Sequence, residues 1–162
     1  MKAIAHMRYG RPHLLELREV SRPEPDDDEV LLRVRASSVN PTDWYAVTGF
    51  WPARFGNGVR RPKGPAAGSD VAGVVETVGK GVEGLQPGDE VFGTAGYAWA
   101  EYATARPDRL ARKPANISFE EAAAVPIAGV TALQAVRDQG QVQPGQKVLV
   151  NGASGGVGTF AV

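Results

Sequence analysis

The densest run of residues equipped for chemistry is Gly152-Ala153-Ser154-Gly155-Gly156-Val157-Gly158, which follows an apolar stretch from Lys147 to Val150 and precedes Thr159-Phe160-Ala161-Val162. Glycines spaced this way let the backbone turn sharply and approach an anion closely, and a helix starting there turns its positive end toward a pyrophosphate. The spacing G-x-x-G-x-x-G is one residue longer at its first gap than the usual dinucleotide fingerprint, so the weight rests on context: an expected strand before it and the first turn of a helix after it. A tight corner with no ligand is the competing use. The residue that distinguishes a ribose 2′-hydroxyl from a 2′-phosphate stands about 20 residues beyond such a turn, past Val162, which leaves NADH and NADPH both open.

Metal chemistry is poorly supplied. The 162 residues contain no cysteine and two histidines, His6 and His13, so disulfides and thiolate metal sites are excluded and imidazole ligands are scarce. Eighteen basic residues balance eighteen acidic ones, so no net field draws the chain to nucleic acid or to an anionic membrane. No apolar run reaches the length needed to span a bilayer. The expectation is a cytoplasmic globular protein, with 43% hydrophobic residues enough for a real core.

The elements that must position this turn change in texture along the chain. Apolar or alternating stretches at residues 2–8, 14–20, 29–39, 70–78, 90–94 and 98–104, separated by Gly, Pro and Asp, predict a mainly β region. Gly73, Gly79, Gly81, Gly84, Gly88 and Gly93 suit the corners of a small curved barrel, and Gln86-Pro87-Gly88-Asp89 reads as a turn. Asn40 reads as a helix cap, with Pro41 at the first helical position and Asp43 in the first turn. The long segment from Gly49 to Gly68, with Arg54, Arg60, Arg61 and Lys63, reads as a loop, functional or merely solvated. From about residue 116 the pattern becomes helical: Ser118 and Glu121 form a capping box, and a second helix is expected over 126–138 with Gly140 stopping it. Gln143-Pro144-Gly145-Gln146 makes a turn before the expected strand at 147–150. The domain reading is therefore 1–117 and 118–162.

Taken together, Ala67-Gly68-Ser69-Asp70-Val71-Ala72-Gly73-Val74-Val75-Glu76-Thr77-Val78-Gly79, then Pro87-Gly88-Asp89-Glu90-Val91, then Gly152 to Val162, resemble the medium-chain dehydrogenase/reductase superfamily over nearly the whole chain. The resemblance implies a GroES-like β-barrel catalytic domain over 1–117, followed at 118–162 by the beginning of a Rossmann dinucleotide-binding domain. Zinc-dependent members carry metal ligands at three points, where this chain has Asn40, Ser69 and Ile127. Amide, hydroxyl and alkyl groups do not replace thiolate and imidazole around zinc, and the cysteine-rich structural zinc lobe has no counterpart after Gly93. The chain is most similar to the zinc-free, zeta-crystallin-like quinone oxidoreductase branch, which also includes the reticulon-interacting oxidoreductases.

That branch implies an NAD(P)H-dependent enzyme, with NADPH favoured by the resemblance, no zinc, and a small-molecule quinone or other activated carbonyl or enone substrate. Asn40, Asp43 and Tyr45 match its substrate-facing positions, Asn40 as a donor to a carbonyl. Thr131 matches the position that approaches the nicotinamide, and Gly152 to Gly158 the pyrophosphate turn. Two rivals stand beside it: an alkenal or enone double-bond reductase of the same superfamily, and a non-catalytic GroES-like binding or assembly module. The resemblance also implies a homodimer, and a parent protein roughly twice as long or a truncated gene product.

Overall fold

The computed structural model describes residues 1–62, 64 and 67–162. Five strands form one antiparallel sheet: β3 (Val30–Ser37), β4 (Asp70–Val78), β5 (Glu90–Thr94), β6 (Tyr102–Ala105) and β7 (Leu110–Arg112), in the order β6-β3-β4-β5-β7. A ribbon of β1 (Lys2–Ala5) and β2 (Glu16–Glu19) completes the β part. It joins the sheet where the Ile4 N–H donates to the Trp99 carbonyl (2.8 Å) and the Glu101 N–H to the Lys2 carbonyl (3.0 Å).

Alternation along the strands sorts side chains onto two faces. Val71 and Val75 enter a core with Val30, Leu32, Val91, Ala98 and Ala105, while Ala72 faces Ala122 and Ala123 across the sheet. Full burial of each Val or Leu contributes about 1.5–3 kcal/mol, so the first cluster dominates. Gly73 is required by close approach: a Cβ there would collide with the Arg33 carbonyl oxygen of the neighbouring strand.

Helix α1 (Pro41–Thr48) starts at Asn40 and ends in a left-handed Gly49, as its cap signals predict. The segment read as one long loop contains a second helix, α2 (Trp51–Asn57), whose N-terminus carries Pro52 where a missing N–H costs nothing. Of the basic residues noted there, Lys63 lies outside the described residues. Strand limits contract: 2–8 ends at Ala5, and 14–20 divides into a 3-10 turn (Pro12–Leu14) and β2. Residues 98–101 pair through the single bridge Ala3–Ala100 before the ladder begins at Tyr102.

Helix α3 (Phe119–Ala123) has the expected capping box, the Glu121 N–H donating to Ser118 Oγ (3.1 Å) and the Ser118 N–H to Glu121 Oε2 (2.8 Å). Ala122 and Ala123 pack on the β sheet, so packing continues across residues 117 and 118. The helix expected over 126–138 is α4 (Pro126–Leu133) followed by a wider π-helical turn (Gln134–Gln139) that ends at Gly140. The strand expected at 147–150 is not formed: the segment joins no ladder, and Leu149 is 93% exposed. An apolar strand needs a neighbour to take its backbone hydrogen bonds, and none of the described strands lies beside it. Helix α5 (Gly156–Ala161) then follows the glycine turn.

Candidate active site

The first turn of α1 is held by a carboxylate. Asp43 is buried; its Oδ2 accepts the Asn40 N–H (2.8 Å) and its Oδ1 accepts the Ser69 hydroxyl (2.7 Å). Asp43 therefore holds the N-terminus of α1 from within its first turn, where the sequence reading placed it, with Asn40 at the cap position. It also contributes to the wall of a cavity of about 300 Å³ shared with His6, Gly68, Ser69 and Tyr97.

A second carboxylate, one that the sequence reading did not single out as functional, organises the rest. Asp70 opens β4 and is fully buried. Its Oδ2 accepts from Ser38 Oγ (2.8 Å) and Asn40 Nδ2 (2.9 Å), and its Oδ1 accepts the Ile127 N–H (3.0 Å) at the start of α4. Burial pushes its carboxyl above the usual carboxylate range; the Asn40, Ser38 and Ile127 donors oppose that shift, and neighbouring Asp43 adds to it.

These bonds engage the amide of Asn40, the group expected to act as a donor. Its Nδ2 donates to Ser38 Oγ (3.0 Å) as well as to Asp70, so the amide is already engaged as a donor. The other end of the same amide, its carbonyl oxygen, is an acceptor. Tyr45 stands apart from this network: it is 40% exposed, and its ring leans on Phe50 and Trp44 at centroid distances of 5.0 and 5.4 Å.

The three positions that hold zinc ligands in zinc-dependent relatives do converge. Asn40 and Ile127 meet on Asp70, while Ser69 and the Asn40 backbone meet on Asp43. The atoms brought together are an amide, a hydroxyl and a backbone N–H, which are poor zinc ligands.

Thr131 lies one helical turn beyond Ile127 and donates its hydroxyl to the Ile127 carbonyl (2.6 Å). Both residues line an apolar groove of about 890 Å³, with Phe92, Leu110, Val136 and Phe160. The glycine turn adjoins the same helix. Phe160 of α5 lies over Gly129 of α4, and a Cβ on Gly156 would touch Ala128.

Within the turn the glycines divide the labour. Gly152 is left-handed (φ 78°) with nothing within 4 Å of the place a Cβ would take, and its carbonyl accepts the Gly155 N–H (2.9 Å). Gly155 is extended (φ −80°) and caps α5. Gly158 is buried, and a Cβ there would collide with the Gly152 carbonyl oxygen. Ala153, Ser154, Gly155, Gly156 and Val157 remain exposed around the helix start. The first amides of α5 have no intrahelical acceptor, and the open side at Gly152 leaves room for a phosphate to approach, so the turn fits a dinucleotide pyrophosphate.

Comparison with known proteins follows the same outline. Residues 26–134 match the alcohol dehydrogenase GroES-like domain family. Human quinone oxidoreductase is 39% identical over 165 residues, covering 99% of this chain and 48% of the relative. The 2-methylene-furan-3-one reductase of Solanum lycopersicum is 36% identical over 173 residues, covering 100% and 43%. Among solved structures, the Escherichia coli quinone oxidoreductase complexed with NADPH superposes with a TM-score of 0.85 at 30% identity, covering 99% of this chain and 48% of that one. The chain thus spans about half the length of the curated relatives it matches.

Proposed function

Because this chain belongs to the alcohol dehydrogenase GroES-like family, within the medium-chain dehydrogenase/reductase superfamily, we propose that it is the catalytic-domain part of an NADPH-dependent, zinc-independent quinone oxidoreductase. The observation that carries the reading is the continuity of the site. Asn40 is hydrogen-bonded through Asp70 to the first turn of α4, and the same helix carries Thr131 and abuts the glycine turn. In this reading residues 118–162 begin the dinucleotide-binding domain.

The bound nicotinamide supplies a hydride, which suits acceptors electrophilic enough to take it without a Lewis acid. The chain's own residues then have limited tasks. Gly152 to Gly158 would admit and cradle the pyrophosphate, Thr131 would border the nicotinamide, and the hydroxyl formed once the acceptor has taken hydride and a proton from water would donate to the Asn40 carbonyl oxygen. Tyr45 offers a phenol at the rim. NADPH is favoured over NADH by the Escherichia coli neighbour, which is described with NADPH. The proposal extends to a cytoplasmic homodimer acting on small molecules, with no nucleic-acid or membrane partner.

An enone reductase is the second reading, favoured by the similarity to the Solanum lycopersicum reductase. One experiment separates the two: NADPH oxidation by the full-length protein with 1,4-naphthoquinone and with but-3-en-2-one, alongside elemental analysis. A higher kcat/KM with the quinone and no stoichiometric zinc are expected. A preference for the enone transfers the assignment to the second reading, and one zinc per chain overturns the zinc-free mechanism. Tyr45→Phe should lower kcat/KM for the quinone more than it changes NADPH affinity; equal losses make Tyr45 a structural residue.

A further inference from the structure

We propose that Asp70 is a positioning residue for hydride transfer, one that sets the spacing between the acceptor-side helix α1 and the nicotinamide-side helix α4. The inference rests on the oxidoreductase reading above, and it adds a residue and a task that this reading does not contain.

Asp70 is fully buried and forms no ion pair among the described residues. A buried carboxylate without a cation is costly to keep, and packing alone would be served by an apolar side chain. What a carboxylate offers here is acceptance on both oxygens at once. Three donors converge on it from separate segments: Ser38 after β3, Asn40 at the head of α1, and Ile127 at the head of α4. In an amide of the same shape one oxygen becomes an NH₂, so either the Ile127 N–H loses its acceptor or the Asn40 amide and the Ser38 hydroxyl must turn over to accept from the new donor.

The bond to Ile127 is the one that matters for geometry. Pro126, at the first position of α4, has no N–H, so Ile127 is the first residue through which this helix can be tied down. Its carbonyl in turn receives the Thr131 hydroxyl. A continuous path of hydrogen bonds and one helical turn therefore runs from the Asn40 amide through Asp70 to Thr131. The Asp70 carbonyl is itself fixed, accepting the Ser37 hydroxyl (2.6 Å). Hydride transfer is sensitive to such spacing: a misplacement of about 1 Å costs on the order of a hundredfold in rate.

The test uses the full-length protein, NADPH and 1,4-naphthoquinone. Asp70→Asn should lower kcat by about ten- to a hundredfold, with the KM for the quinone and the Kd for NADPH changing less than about threefold. The isotope effect from 4-deuterated NADPH should rise. The exchange Asn40→Asp with Asp70→Asn restores one acceptor-only partner and one amide in reversed places. Because position 40 faces the acceptor in the oxidoreductase reading, this exchange is read by the latch at Ile127 and not by kcat. Amide hydrogen exchange at Ile127 reads the latch without turnover, and should be at least about tenfold faster in the single variant and slowed again in the exchange.

Wild-type kcat in Asp70→Asn, a parallel loss of NADPH affinity, or an Ile127 amide that exchanges no more slowly in the exchange variant than in the single one overturns the inference while leaving the oxidoreductase reading intact. If the single variant does not fold, a folded exchange variant whose Ile127 amide exchanges more than about tenfold faster than in the wild type overturns it equally. A wild-type protein that oxidises no NADPH with either acceptor overturns the oxidoreductase reading, and this inference with it.

Discussion

Ser69 donates its hydroxyl to the buried carboxylate of Asp43 across 2.7 Å, joining the residue that precedes β4 to the first turn of α1. Ser69 is one of the three positions at which the resemblance places metal ligands in zinc-dependent members. Here the same place serves a hydrogen bond between two elements of the fold.

The bond makes Asp43 a stability residue first. Asp43→Leu leaves the Ser69 hydroxyl and the Asn40 N–H without acceptors, and each buried group stranded in this way costs about 1–3 kcal/mol. The expected loss is about 2–6 kcal/mol, read from denaturant unfolding of the variant. Ser69→Ala removes the donor and leaves Asp43 its Asn40 bond, so it should cost less than half as much. Equal effects of the two variants would show that the carboxylate is not the centre of this link.

Local signals account for much of what the sequence disclosed. The Ser118 and Glu121 box, the Asn40 start of α1 and the Gln86 to Asp89 turn each depend on residues within four positions of one another, and each forms as read. Helix α2 was hidden by a run of aromatic, Gly and Arg residues that reads as loop, although Pro52 near its start was a usable sign. Residues 147–150 carry a strand pattern, but a ladder is a property of two segments and one does not make it.

The site was legible in part for the same reason. The glycine turn could be read because its parts are contiguous. Asp70 could not, because its partners Asn40 and Ile127 lie 30 and 57 positions away, and nothing in the run Gly68-Ser69-Asp70 marks the carboxylate as the meeting point. Asn40 likewise has partners that lie partly beyond its own stretch of sequence: its amide donates to Ser38 and to Asp70.

His6 supplies a pH prediction. It is buried beside the cavity that Asp43 and Ser69 border, and among the described residues neither ring nitrogen has a hydrogen-bond partner. Burial holds its pKa below the ordinary histidine value of 6.5. The folded state resists a proton that the unfolded chain accepts near that pH. Stability should therefore fall as pH drops below about 6.5 and level off once the folded imidazole is also protonated. His6→Phe removes both the titration and an unsatisfied polar group. Melting temperatures from pH 7.5 to 5.5, both about one unit from the histidine midpoint, should fall less in the variant than in the wild type, and the variant should be at least as stable at the upper end. Parallel pH profiles would mean that His6 stays uncharged, or equally solvated, in both states.

The glycine turn yields the sharpest substitution test, because its three defining glycines are needed for different reasons. A Cβ on Gly158 would collide with the Gly152 carbonyl oxygen and stand 2.7 Å from Ala153 Cα. Both obstacles are backbone, so Gly158→Ala must push the turn away from α5. At Gly155 the added Cβ would meet only the Gly152 carbonyl oxygen, at 3.3 Å, and the backbone there is extended, so a methyl is nearly tolerated. Gly152→Ala finds open space but must hold a left-handed backbone, at about 1 kcal/mol. NADPH affinity of the full-length protein should thus be lost in Gly158→Ala, fall modestly in Gly152→Ala and fall least in Gly155→Ala. Gly155→Val places its branches outward, where the phosphate is expected to lie, and should abolish binding while the β domain melts as in the wild type. Fluorescence titration with NADPH and thermal unfolding, run on the four variants together, distinguish a distorted turn from an obstructed one. If Gly158→Ala binds NADPH as the wild type does, the turn is a packing corner and its assignment to the pyrophosphate is wrong.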